Sequence, residues 1–399
     1  MGRRLLVIAS SFPRHGEDLA GHFVGHWCRS LVDRGAEVDV LCWHGPGACS
    51  RQVQPGLRVR FIRYAWPGAQ RLFFGAGAPE NLTEHPLRAW LAVPAVAVMV
   101  AAALDACRRR SYDAVIGHWM VPGGLIARWV AEVMKLDSAV VGHSGGVHVL
   151  GALPEVIGRA IARRVCRGAT SVPTEPLRKR LVALSGSEDI EVAPMGYAPS
   201  PISVESKNRG NDALRIGFLG RLVPIKGLET VLRAVERLRQ SQRSVTLDVV
   251  GTGPRRGRWE AMAGETVHFV GAKYGLEKWH YLHRWDALVV PSKKGAKGRH
   301  EGLPVSLLEG ASVGAVPLVS GVPGVEKWLA RPTRQLIGDG DVDGWCRALG
   351  WIDGLDRGES TALRARTMQQ VAPLAWPSYA RWWQQWIGGR VTSPSSRTS

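Results

Sequence analysis

Short apolar runs alternate with helical stretches along almost the whole chain, and this alternation restricts the fold more than any other feature of the sequence. Runs at 4–9, 37–42, 57–63, 113–117, 139–142, 169–173 and 190–193 read as strands separated by helical patterns. Repeated strand-helix units of this kind imply a parallel sheet. A second series follows, with strands at 214–219, 245–250, 267–270, 286–291, 315–319 and 334–337. Between the two series, Pro199 to Ser203 and Lys207 to Asp212 are polar and rich in turn residues, which suits a linker. At 399 residues, 45% of them hydrophobic, the chain can fill two such cores. The predicted organisation is a first domain over 1–200, a linker at 201–212, a second domain over 213–373, a terminal helix at 374–387 and a loose tail at 388–399.

Charged residues that could do chemistry gather in the second series. Leu214-Arg-Ile-Gly-Phe-Leu-Gly-Arg-Leu-Val-Pro-Ile-Lys-Gly227 is an apolar strand that breaks into a Gly/Pro loop, and a helical pattern (Val231, Leu232, Val235, Leu238) begins at Leu228. Arg221 and Lys226 leave that loop at a strand's carboxyl end, where open α/β sheets take their ligands; two cations there suit a diphosphate. Further along, His300-Glu-Gly-Leu-Pro-Val-Ser-Leu-Leu-Glu309 sets two carboxylates across a loop-to-helix junction. Pro304 is predicted as the first helical residue, which puts the amides of Gly302 and Leu303 at the helix's positive end, where phosphate is attracted. Glu309 then falls on the second turn, where its carboxylate can accept two hydrogen bonds from a ribose diol, and Glu301 stays in the loop, within reach of another ring's hydroxyls. Arg221 and Glu309 are both expected to be exposed to such a ligand.

Gly220-Arg221 through Lys226-Gly227, Val249-Val-Gly-Thr-Gly-Pro254, Val290-Pro-Ser292, Glu301 through Glu309 and Gly314-Ala-Val-Pro317, in this order and spacing, resemble the retaining glycosyltransferases of family 4. The resemblance implies the GT-B fold, an α/β architecture of two Rossmann-like domains facing each other across a cleft, with a C-terminal helix crossing back to the first domain. The stretch Trp376 to Ile387 is similar to that helix and sets Trp376, Tyr379, Trp383 and Trp386 near one face, which is expected to pack as core. It further implies a nucleotide diphosphate sugar as co-substrate and a hydroxyl of a glycan or lipid-linked molecule as acceptor. No cofactor and no metal are expected. By position, His143, in Val140-Val-Gly-His-Ser-Gly-Gly146, faces the reaction centre and joins Arg221, Lys226 and Glu301 as the catalytic set. Donor contacts fall to Gly21, Arg221, Lys226, Glu301, Gly302, Leu303 and Glu309, and His118, in Tyr112-Asp-Ala-Val-Ile-Gly-His-Trp119, falls on the acceptor side. Two departures stand out. Gly146 occupies the place of an acidic residue three positions after the histidine, and Met195 and Ala198 replace a common Asn and Asp.

The formal charge of +18 is spread over both halves, with concentrations at Arg108 to Arg110, Arg159 to Arg167, Arg178 to Arg180, Arg255 to Arg258 and Lys293 to Arg299. No recognition helix, zinc-finger spacing or aromatic nucleic-acid signature accompanies it, so an anionic membrane surface ranks above nucleic acid as a partner. The longest apolar stretch, Trp90 to Leu104, contains a proline and falls short of the ~20 residues that span a bilayer, and is expected to be a buried helix. The amino terminus does not read as an export signal, and the six cysteines lack Cys-x-x-Cys spacing. A cytoplasmic protein, with scope for peripheral docking on the inner membrane face, is the expectation. Two other functions remain: a GT-B binding or regulatory subunit that has lost acceptor chemistry, and an NAD-dependent oxidoreductase. The second is disfavoured because Gly251, Gly253 and Gly257 put the third glycine of the fingerprint one position late.

Overall fold

A computed structural model describes residues 2–15, 18, 20–73, 78–203, 213–295 and 300–391. They form two units, one made of the chain up to Met195 together with the carboxyl-terminal helix from Trp376, the other of Gly196–Ala375. Residues 204–212 of the predicted linker, 392–399 of the predicted tail, and the basic residues Lys297 and Arg299 lie outside the described residues.

The first unit is built on strands β1 (Arg4–Ala9), β2 (Glu37–Trp43), β3 (Arg51–Gln54), β4 (Leu57–Ile62), β5 (Ala114–His118), β6 (Asp137–Val141), β7 (Thr170–Val172) and β8 (Ile190–Val192). Their spatial order is β3-β4-β2-β1-β5-β6-β7-β8, and only β3 runs antiparallel to its neighbour. The central strands β1 and β5 are buried almost end to end, which is why they read as unbroken apolar runs. β3 escapes sequence reading because Arg51-Gln-Val-Gln54 is a polar edge strand with no apolar face. From β1 the sheet grows through β2 to one side and through β5 to the other, so the order reverses between β1 and β5. The terminal helix Trp376–Val391 belongs to this unit and packs on the helix His22–Val32. Trp376, Tyr379, Trp383 and Trp386 are buried as expected, and the Trp383 ring meets Trp27 edge-on at 5.7 Å.

The helix Ala92–Arg109 differs from expectation. Ala95, Met99 and Ala103 are buried in the core, whereas Val93, Ala97 and Ala101 are exposed, so the helix is buried along one stripe only. A run of small and apolar residues without polar punctuation conceals which side faces water.

The second unit repeats the plan with β9 (Leu214–Leu219), β10 (Val245–Val250), β11 (Val267–Gly271), β12 (Ala287–Pro291), β13 (Val316–Ser320) and β14 (Gln335–Leu336), all parallel in the order β11-β10-β9-β12-β13-β14. The helix Leu228–Gln240 turns Val231, Leu232, Val235 and Leu238 into a core completed by Ile216, Phe218, Leu247, Trp345 and Leu349. Here the order reverses between β9 and β12, and such a reversal is where open α/β sheets take their ligands.

Candidate active site

In the second unit, the loops at this reversal point carry the predicted charged residues. Arg221 is exposed just past the end of β9, and Lys226 ends the single turn Pro224–Lys226 that leads into the helix Leu228–Gln240. Lys226 Nζ lies 2.5 Å from Glu301 Oε1, and Ser292, just past β12, donates its hydroxyl to Glu301 Oε2. Both ends of the Lys226–Glu301 pair are largely covered, with side chains 13% and 21% exposed, so the loop carboxylate is already fixed before any ligand arrives. The adjacent helix runs Val305–Ser312, and Pro304 caps it with an extended ψ of 133° instead of opening it, because the chain is still turning out of the loop at that residue. The shift is one position. The helix has no side-chain cap, and its first amides, from Val305, have no acceptor within the helix, while Gly302 and Leu303 immediately precede them.

Glu309 corrects an expectation. It is 3% exposed, and Lys278 Nζ, from the helix Gly275–Arg284, holds its Oε1 at 2.7 Å. The Lys278 ammonium also lies 4.9 Å from the centre of the Trp279 ring. A carboxylate on an inward-facing turn can be buried only with a cation beside it, and Lys278, 31 positions away, has no local sequence signal that links it to Glu309.

The first unit assembles a different group at its own reversal point. His118 ends β5 and His143 follows β6. His118 Nδ1 and His143 Nε2 share a hydrogen bond of 3.1 Å between rings tilted by only 16°. His118 is fully buried, with Trp27 edge-on at 4.8 Å, and its Nε2 has no hydrogen-bond partner among the described residues. His143 is partly exposed and sits between Phe23 at 5.0 Å and Trp119 at 4.7 Å. Burial pushes the His143 pKa down to about 3, and burial and then the neighbouring His143 hold His118 well below the usual imidazole range. Both rings are therefore neutral at pH 7, and one donates while the other accepts. Trp119, a non-glycine residue at φ 64°, takes a backbone conformation that costs energy wherever it occurs, and such residues concentrate at functional sites.

Two glycines explain how the backbone closes around this group. Gly21, at φ 65°, precedes the helix His22–Val32, and a Cβ there would lie 2.3 Å from the Ser11 carbonyl oxygen, so the loop after β1 can rest on the helix start only with glycine. Gly146 has no space for a side chain because Met120 N would lie 2.8 Å from its Cβ. The acidic residue usual at that place could not fit, and His118 instead holds the His143 ring.

The sequence also contains the alternating aspartates Asp339, Asp341 and Asp343, a spacing that can bind metal, and the fold engages all three elsewhere. Asp339 accepts from Lys294 N, Asp341 caps the helix Val342–Asp353 through Gly344 N, and Asp343 pairs with Arg237. Among the described residues no three His, Cys, Asp or Glu side chains come together as a metal site.

The model of the glycosyl transferase 4-like domain matches residues 20–196, and that of glycosyl transferases group 1 matches residues 213–352. The amylovoran biosynthesis glycosyltransferase AmsK of Erwinia amylovora is 30% identical over 166 residues, covering 38% of this chain and 40% of that protein. A putative teichuronic acid biosynthesis glycosyltransferase, TuaC of Bacillus subtilis, is 25% identical and covers 84% of this chain and 85% of its own length. The match to AmsK thus spans less than half of that relative. In fold, the chain is similar to Anabaena HepE in complex with UDP and glucose, with a TM-score of 0.70, 12% identity, and 97% and 99% of the two chains covered. Two doubly wound units, matched in turn by the two halves of one enzyme class, place the chain in the glycosyltransferase 4-like family of GT-B glycosyltransferases.

Proposed function

We propose that the protein transfers a glycosyl group from a nucleotide diphosphate sugar to a hydroxyl of a glycan or lipid-linked acceptor, with retention at the anomeric carbon and without a metal ion. The observation that carries this reading is the charged cluster at the β9–β12 reversal, where Lys226, Glu301 and Ser292 meet beside Arg221 and the open start of the helix Val305–Ser312. As the glycosidic bond breaks, negative charge grows on the leaving β-phosphate. Arg221, Lys226 and the amides near Gly302 and Leu303 are the groups suited to take it, which is preorganised electrostatic stabilisation. Once Lys226 turns to phosphate, Glu301 is freed to hold donor-sugar hydroxyls. Glu309 keeps Oε2 for the ribose while Lys278 holds Oε1. Retention then follows from attack on the face the diphosphate leaves, with a departing phosphate oxygen accepting the acceptor's proton, so no carboxylate nucleophile is required.

On the first unit, Gly21 would let backbone come close to phosphate, and His143 would meet the reacting sugar as a neutral donor or acceptor. His118 was expected on the acceptor side; its burial and its bond to His143 support the role of a positioning residue. The relatives named for amylovoran and teichuronic acid biosynthesis support a surface-polysaccharide acceptor; work on the cytoplasmic side of a membrane is part of the same proposal. Turnover tests the reading. Incubated with a panel of nucleotide sugars, the protein should slowly release nucleotide diphosphate from one of them with EDTA present. Binding without release would favour the non-catalytic subunit, and a strict demand for Mg²⁺ or Mn²⁺ would contradict the role given to the cations.

A further inference from the structure

The helix Ala92–Arg109 presents two chemically similar but structurally opposite faces. Leu91, Ala95, Met99 and Ala103 lie in the first unit's core, and Trp43 Nε1 donates to the Ala95 carbonyl oxygen at 3.0 Å. By length and composition the stretch Pro86–Arg109 could cross a membrane, yet drawing it out would strip that core, so the helix is part of the fold. The turn Pro86–Leu91 that leads into it nevertheless carries Leu87 and Trp90, and its own first turn Val93, at 88%, 54% and 76% exposure. Trp66, from the loop after β4, is 64% exposed, and its ring centre lies 5.8 Å from that of Trp90. Two exposed indoles flanked by two large aliphatics form an apolar patch of the kind that marks an interaction surface.

The surroundings of the patch say what it meets. Arg63 and Arg71 flank Trp66 along the chain and Arg88 adjoins Leu87; none of the three makes an ion pair among the described residues. In each of the sequence's other arginine concentrations the fold pairs at least one cation. Arg109 pairs with Asp105, Arg110 with Asp39 and Glu37, Arg159 with Glu155, Arg178 with Glu175 and Glu188, and Arg256 with Glu260. Tryptophan suits the layer between water and hydrocarbon because its indole is apolar over most of its surface and polar at one end. We infer that the first unit docks peripherally on an anionic bilayer through the Trp66, Leu87, Trp90 and Val93 tip, with the indoles among the headgroups and the three arginines on lipid phosphates. The inference rests on the membrane-side reading above but not on sugar transfer.

The test is capture of the full chain by phosphatidylcholine vesicles with about one third phosphatidylglycerol, at low salt and in 1 M salt. Capture at low salt should persist in part at high salt, since screening to ~3 Å removes the arginine attraction and not the apolar one. The W66S/W90S variant should bind about tenfold or more weakly. It should keep wild-type nucleotide binding and thermal stability, because both side chains are exposed. The V156S/I157S variant, altered at another exposed apolar pair, should be captured like the wild type. Wild-type capture by W66S/W90S, or no capture of the full chain, overturns the inference. So does a concentration-dependent dimer that W66S/W90S abolishes, which would assign the patch to a second copy of the chain.

Discussion

The two sheets place their candidate site residues at the same topological position, yet the chemistry there is opposite. At the β9–β12 reversal the side chains are charged and already paired, Lys226 with Glu301 and Lys278 with Glu309. At the β1–β5 reversal they are uncharged and aromatic, with a neutral histidine pair enclosed by Phe23, Trp27 and Trp119. Parallel-sheet topology decides where loops part and ligands can enter, and side chains decide which part of a ligand each crevice suits. Paired charges suit a diphosphate, which can replace the carboxylate as the cation's partner. A neutral, rigid imidazole suits a sugar ring, where a fixed charge would gain little.

The largest expected effect tests the charged side. Glu309→Ala leaves the Lys278 ammonium, 19% exposed, without its anion, and should destabilise the fold by about 2–3 kcal/mol in a denaturant titration. Glu309→Gln keeps a hydrogen-bond acceptor and should cost less stability while still losing donor affinity. Equal stability for the wild type and both variants would mean that the pair is not coupled to the fold. That result would weaken the contrast between the two regions.

Acid titration tests the neutral side. The folded pKa of His143 lies below the ~6.5 of an unfolded imidazole, so its contribution to stability is complete above pH 6.5 and is lost as the pH falls toward 3. The decline is up to about 1.4 kcal/mol per pH unit for one such group. His143→Asn should flatten the slope of unfolding free energy against pH between 6 and 4. An unchanged slope would show that His143 is not held neutral by burial.

The smallest effect separates His118 as a positioning residue from His118 as mere filling. Asn at 118 can place an amide near the position of Nδ1, whereas Leu fills space without a polar atom. Turnover should fall roughly fivefold in His118→Leu, the worth of one hydrogen bond, and recover in His118→Asn at unchanged KM for donor. If both variants fall together, the ring's volume matters and its bond to His143 does not.

Much of this molecule was legible in the sequence because buried parallel strands are continuous apolar runs and ligand loops are punctuated by Gly and Pro. That is why β9, its loop to Gly227 and the carboxylates at Glu301 and Glu309 could be placed, whereas the polar edge strand β3 could not. Contacts between distant segments left no trace. Nothing local ties Lys278 to Glu309, or Phe23 and Trp27 to the two histidines. The burial of Glu309 went unread for the same reason, since a carboxylate looks exposed until its cation is found. The absent acid at Gly146 looked like a lost function, and only the position of Met120 shows that the side chain is excluded by space while His118 holds the ring.

Calorimetric titration with UDP, GDP, ADP and TDP tests whether the β9–β12 cluster holds a nucleotide diphosphate. At least one should bind the wild type, and R221A/K226A should weaken that binding roughly ten- to hundredfold, the loss of charge-assisted contacts to phosphate. Equal affinity in wild type and double variant, or no binding of any of the four, would contradict that assignment.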